Sequence, residues 1–311
     1  MPTPAAPPPE AMVEECLHET KLIKFFRKRA RIILQDKNGP CSLLAICNCL
    51  ILRGMGGLDQ NRDEFSLNEL LNSVANALID SNSNIENEDA GYEEYHGQET
   101  VDPFELLPAL ATGLYVNIKF HSVKDFVRTP ELEIFRRLCI PLYHGCIVNP
   151  QDHDTAIAIG SKSYDELADE LADELEDDLV AQNMTPEKRN LFQKFVKSKA
   201  SLTPYGLSCL RRDVGEGELC VLFHNEHFST MFKYKGQLYL LATDEAFLDR
   251  PNHVWEKLEK VKGGNVYVSS NFEECKMDYV GSMNNATLTV STNDDIDEQL
   301  ARSLQEEEFN A

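Results

Sequence analysis

Residues 39–41 read Gly-Pro-Cys, and an apolar segment follows at once, with Leu43, Leu44, Ile46, Cys47, Leu50 and Ile51. That i, i+3, i+4, i+7 spacing predicts a helix buried along one face. Pro40 brings the backbone angle a helix start needs, and Gly39 permits a tight turn ahead of it. Gly54, Gly56 and Gly57 stop the helix near Arg53. Cys41 then opens the first turn, where the macrodipole and unpaired N–H groups favour thiolate over thiol. A nucleophile needs that environment; a packing cysteine does not. Gln35, six residues upstream, can bring a neutral amide donor beside the sulfur, where the oxyanion of acyl transfer forms. The plainer alternative makes Cys41 a small hydrophobe at the start of a core helix. A base decides between them.

At 311 residues the chain has room for one large domain or two small ones. Its net charge of −22 speaks against nucleic acid, whose phosphates need an excess of Lys and Arg. No run approaches the roughly 18 apolar residues of a membrane span. The opening MPTPAAPPPE reads as a disordered proline-rich arm, residues 1–11, and not as a secretory leader. Nine cysteines without a leader fit reduced thiols in the cytosol or nucleus. Cys41, Cys47 and Cys49 lack a CxxC pair or paired histidines, and a helix points them apart, so neither a metal nor another cofactor is expected.

After the arm, residues 12–34 mix charge and apolar side chains and end in a strand over 30–34. A second amphipathic helix is predicted over 67–79 with Ser66 as N-cap. Residues 81–100 are polar and acidic and read as an exposed loop. A helix over 104–112 closes at Gly113, and 116–120 alternates like a strand. Residues 165–178 (DELADELADELEDD) repeat a leucine every four positions, through Leu167, Leu171, Leu175 and Leu179. This is a helix with one packed stripe and a solvated carboxylate face. From Glu218 the chain becomes β-rich: one strand run over 222–232, a turn at 234–237, then LYLLATD. Residues 281–293 read as a linker, and 294–308 (DDIDEQLARSLQEEE) return to helical spacing.

Among eight histidines, His227 is the best base, since a rigid strand would hold its ring. His224 lies three residues away, and in one regular strand an odd separation sets the two on opposite faces. Here the residues resemble a known family. Gln35-xxx-Gly39-Pro40-Cys41-x-Leu43-Leu44-Ala45-Ile46 and His227-Phe228-Ser229-Thr230-Met231 are similar to the MINDY family of cysteine deubiquitinases. So are Leu142-Tyr143-His144-Gly145 and Tyr239-Leu240-Leu241-x-Thr243-Asp244. The four pieces fall in the family's order over roughly residues 20–280, a catalytic domain of about 12–280. The family often carries proline after the nucleophile, where this chain has Ser42.

The resemblance implies an α+β, papain-like domain, with the nucleophile's helix packed on the sheet that carries the histidine. It implies Cys41 as nucleophile, His227 as general base and Gln35 as oxyanion donor. Thr243 or Asp244 would orient the imidazole, although Asp244 equally suits the start of a turn before Glu245. The implied substrate is polyubiquitin, chiefly lysine-forty-eight-linked chains, cut by a monomer. In the tail, Ile296, Leu300, Ala301 and Leu304 form a narrow stripe flanked by acids. That pattern resembles an inverted ubiquitin-interacting motif, a helix laid on ubiquitin's surface. Two further readings compete: an inactive polyubiquitin-binding adaptor that keeps the fold, and a cysteine peptidase or acyltransferase with another substrate. Intact Gln35, Cys41 and His227 favour the enzyme.

Overall fold

Every residue from Ser42 to Leu52 of the helix α1, Cys41–Arg53, is buried. The expected one-sided burial is therefore corrected: a helix apolar all round belongs inside the core. The computed structural model describes residues 17–36, 39–85, 102–176, 185–261 and 266–275. The proline arm, the linker and the tail helix lie outside these, as do most of the acidic loop and the end of the leucine repeat.

Two sheets sandwich α1. One is three-stranded, in the order β2-β1-β3, from β1 (Leu17–Phe25), β2 (Lys28–Ile33) and β3 (Glu64–Ser66). The mixed composition of residues 12–34 hid β1, whose buried positions shift phase half-way, from His18 and Thr20 to Lys21, Ile23 and Phe25. Asn48, fully buried in the middle of α1, binds the end of β2. Its Oδ1 accepts from Ile33 N at 2.8 Å and its Nδ2 donates to Ile33 O at 3.0 Å. That exchange satisfies the amide and completes the ladder at the strand's end.

The other sheet has six strands: β4 (Leu142–His144), β5 (Leu219–His224), β6 (His227–Tyr234), β7 (Gln237–Leu241), β8 (Trp255–Lys257) and β9 (Val266–Val268). Only the β4–β5 pair is parallel. One face meets α1 through Val221, Phe223, Phe228 and Phe232; the other holds a second core with Leu222, Met231, Leu238 and Leu240. Thr230 Oγ1 donates to Ala45 O at 3.1 Å, Cys49 Sγ lies 3.5 Å from Cys220 O, and Arg53 Nη2 donates to Leu219 O at 3.0 Å. These contacts run in step along α1 and the β5–β6 pair, so helix and strand β6 point the same way. Cys41 and His227 thus stand at the same end.

Around this frame lie α2 (Leu67–Ile85), α3 (Leu107–Thr112), α4 (Glu133–Arg137), α5 (His153–Ile159), α6 (Tyr164–Glu176), α7 (Pro186–Lys197) and α8 (Pro204–Asp213). Ser66 begins α2 by a capping box: Ser66 N donates to Glu69 Oε2 at 2.9 Å and Glu69 N to Ser66 Oγ at 3.4 Å. The helix runs past residue 79, so 81–85 are helical where a loop is expected. Residues 116–120 form isolated bridges, Ile118 to Phe126 and Lys119 to Ser163, in place of the expected strand. Leu167 is fully buried and α6 packs on α7, as its stripe requires.

Against the second core, α8 approaches the chain just after β4. A Cβ on Gly206 would sit 1.9 Å from Gly145 O. Thr203 caps α8 through its bond from Gly206 N at 2.9 Å and donates to Ile147 O at 2.7 Å. Gly145, which closes the Leu-Tyr-His-Gly piece, is therefore there for close packing.

Candidate active site

Pro40 precedes α1 with φ −74°, and no side chain caps the helix start. No acid occupies the first turn, so its N–H groups remain available to an anion. Cys41, at this start, is half-buried. The cysteines deeper in the helix differ: Cys47 faces Leu70 O of α2, Cys49 faces β5, and burial pushes both thiols up, Cys49 to about 12. Ser42, where the family often has proline, is buried and donates from Oγ to Leu110 O at 3.4 Å. This bond ties the turn after Cys41 to α3.

Gln35 is held from two sides. Its N donates to Thr243 O at 2.6 Å, its O accepts from Glu245 N at 3.3 Å, and the two segments form a short parallel bridge. Its side-chain Nε2 donates to Gly39 O at 3.3 Å, folding the amide against the turn that leads into Cys41. Gly39 leaves room for that fold, since a Cβ would meet Asp36 Oδ1 at 2.7 Å and Gln35 Cγ at 3.2 Å and push both side chains aside.

The histidines do not lie on one strand. Asn225 and Glu226, with φ of 50° and 58°, make a two-residue turn, and His224 and His227 pair across it. Two positive φ values in succession suit the right-handed twist of the flanking strands. The expectation of opposite faces is thereby corrected: cross-strand partners share a face. Strand alternation groups His227 with Ser229 and Met231, away from Phe228 and Thr230, which touch the α1 side. Burial lowers the His227 imidazole below its ordinary 6.5, so it is neutral near pH 7 and its lone pair is free to take a proton. His224 is driven further, to about 4, by burial and then by the facing His227. Among the described residues, no hydrogen bond joins Cys41 Sγ to either ring.

Thr243 and Asp244 follow β7 beside Gln35. Asp244 accepts from Ala246 N at 2.8 Å and so caps a short 3-10 turn over Glu245–Phe247. Its carboxylate is used locally. Ile296, Leu300, Ala301 and Leu304 lie outside the described residues. Asn48, which pins the strand leading to Gln35, was not marked out in the sequence, and Thr230, quoted only within the His227 piece, ties β6 to α1. A lone asparagine inside the run CSLLAICNCLILR was the available signal for the first.

Comparison with known proteins identifies the family. A sequence model described as the MINDY deubiquitinase matches residues 16–272. The chain is 39% identical over 255 residues to ubiquitin carboxyl-terminal hydrolase MINDY-1 of Mus musculus, covering 81% of this chain and 53% of that protein. It is 38% identical over 264 residues to MINDY-2 of Homo sapiens, covering 83% of this chain and 41% of that protein. The chain thus spans about half the length of these relatives or less. With a cysteine at the start of a buried helix, a glutamine folded onto its turn and a histidine at the same end of the sheet, the chain belongs to the MINDY deubiquitinase family.

Proposed function

We propose that this chain is a cysteine-type deubiquitinase that hydrolyses isopeptide bonds of polyubiquitin. In this reading the domain works as papain-like enzymes do, with Cys41 as nucleophile and His227 as general base. The neutral imidazole takes the Cys41 proton, and the thiolate attacks the carbonyl carbon of ubiquitin's C-terminal glycine. Gln35 Nε2 and the Cys41 backbone N–H receive the oxyanion. The imidazolium returns its proton to the departing lysine amine, leaving a thioester. Water, deprotonated by His227, attacks that thioester and frees the ubiquitin carboxylate and the thiol.

The observation that carries the proposal is the Gln35 amide held against the Gly39 turn, next to an uncapped helix start that opens with Cys41. A packing cysteine would have no use for either. Because Cys41 and His227 are not hydrogen-bonded in this state, substrate binding has to bring the ring across. Catalytic pairs in free enzymes often tighten only in the complex.

The expected substrate is lysine-forty-eight-linked chains, a reading supported by the family resemblance. The acidic segment 294–308, with Ile296, Leu300, Ala301 and Leu304, is proposed to grip a further ubiquitin through a weak helix contact that tethering strengthens. A ubiquitin probe with a thiol-reactive C-terminus tests the core of this reading: wild type should be labelled and Cys41→Ala should not, while still binding polyubiquitin. Labelling elsewhere on the chain would remove Cys41 from its role. A panel of diubiquitins tests linkage. Deleting residues 294–311 should slow pentaubiquitin cleavage and spare diubiquitin; equal loss on both would make the segment a support of the fold.

A further inference from the structure

The chain's negative charge has one local reversal. Residues 20–35 hold no acid and carry Lys21, Lys24, Arg27, Lys28, Arg29 and Arg31, in a chain of 52 acids and 30 Lys and Arg. Two of these cations are occupied. Lys21 is buried, with Nζ donating to Arg250 O and His253 O at 2.7 Å each, and Arg31 pairs with Asp63 at 2.6 Å. Lys24, Arg27, Lys28 and Arg29 are exposed around the β1–β2 turn, and among the described residues none has an acidic partner.

The same turn displays an aromatic ring. Phe26 is 48% exposed, its ring edge-on to Phe25, Phe232 and Tyr234. It holds φ 53°, a conformation costly for a bulky side chain. Beside the hairpin, a pocket of about 200 Å³ opens towards the C-terminal end of α1. Its lining is mixed: Phe25, Ile51, Met55 and Leu58 give the apolar part, and Lys28, Arg29 and Gln60 the polar part. Lys28 Nζ stands 3.5 Å from where a Cβ of Gly54 would be, just past that helix end.

We propose that this hairpin and its pocket form a docking site for an acidic peptide segment carrying one apolar side chain. The carboxylates meet Lys24, Arg27, Lys28 and Arg29, and the apolar side chain enters the pocket. Charge complementarity selects the class of partner. A peptide lying on the hairpin feels mainly charges within a Debye length, about 8 Å at physiological salt. An anionic membrane or a nucleic acid extends further and meets the field of the whole chain, at net −22. A concave, partly apolar pocket also fits a single side chain better than a flat surface.

The test uses the full chain and a fluorescent decapeptide of Asp and Glu around one central leucine, followed by anisotropy. Binding should weaken about tenfold in Arg27→Glu/Arg29→Glu, about fivefold with serine in place of the leucine, and as salt rises from about 50 to about 300 mM. Diubiquitin turnover by the variant should match wild type, since neither arginine touches the reaction centre. Equal affinity of the leucine and serine peptides would overturn the pocket. Equal affinity of variant and wild type would overturn the hairpin. Sedimentation of the protein with phosphatidylserine vesicles, without peptide binding, would replace the peptide by a membrane and overturn the proposal. Should the double variant not fold, the leucine–serine comparison and salt series on wild type decide alone.

Discussion

At Gln35, backbone and side chain do separate jobs. The backbone is strapped to Thr243 and Glu245, so the side chain is free to serve the Gly39 turn. Gln35→Ala should therefore leave the fold intact and lower kcat about 100-fold, the usual cost of one oxyanion donor. A rise in KM alone would show that the amide binds substrate. The paired histidines permit a second test. His227→Ala should abolish turnover, while His224→Ala, which removes a buried ring with an unpartnered Nδ1, should retain it. Because burial lowers the His227 pKa, its basic form is lost only below 6.5, and the acid limb of kcat/KM should fall there. A limb centred above pH 7 would assign the proton transfer to another group. The sequence pointed to Gln35, Cys41 and His227 as candidates but misplaced how the two histidines relate. An odd spacing means opposite faces only within one strand, and Asn225-Glu226 is an unusual turn pair, without the glycine that marks most such hairpins.

Among the elements, the most demanding contact is α8 against the end of β4. Gly206→Ala would drive a Cβ into Gly145 O, and α8 cannot move without disturbing Leu207 and Leu210 in the second core. A loss of about 3 kcal/mol is expected, the upper range for overpacking, read as a fall in the urea midpoint. A loss below about 0.5 kcal/mol would mean the helix shifts freely. Elements were legible where local signals agreed. Gly-Pro before α1, Gly54 after it and Ser66 before α2 announced their boundaries, and Leu167 its buried stripe. They were hidden where long-range partners made them. Strand β1 exists because β2 and β3 flank it, and its basic residues gave no alternating pattern. Residues 116–120 alternate yet pair with only single residues on either side, so no ladder forms. That α1 is buried all round, and not on one face, follows from there being two sheets, which no local spacing encodes.

For the molecule as a whole, acid is the expected weakness. His144 is fully buried, held near 4 by loss of hydration, with Nε2 at 3.2 Å from Asp125 O and Nδ1 unpartnered. The unfolded chain binds that proton near pH 6.5 and the folded chain only near 4, so stability is full above 6.5 and falls as pH drops between them. His224 adds the same sign. Together they should cost on the order of a few kcal/mol by pH 4, and His144→Gln should flatten the stability–pH curve if it folds. An unchanged slope would place the acid sensitivity elsewhere. A last consequence belongs to the bridge between Gln35 and Asp244. As the chain leaves the ribosome, the cysteine helix emerges early, but the segment that seats Gln35 comes some two hundred residues later. Lys21 waits still longer for the carbonyls of Arg250 and His253. A nascent chain thus carries the Cys41 thiol with Gln35 made but not yet seated and His227 still to come, and a chain stalled before Thr243 cannot seat Gln35. On the proposed mechanism, hydrolysis waits for a segment made long after the thiol.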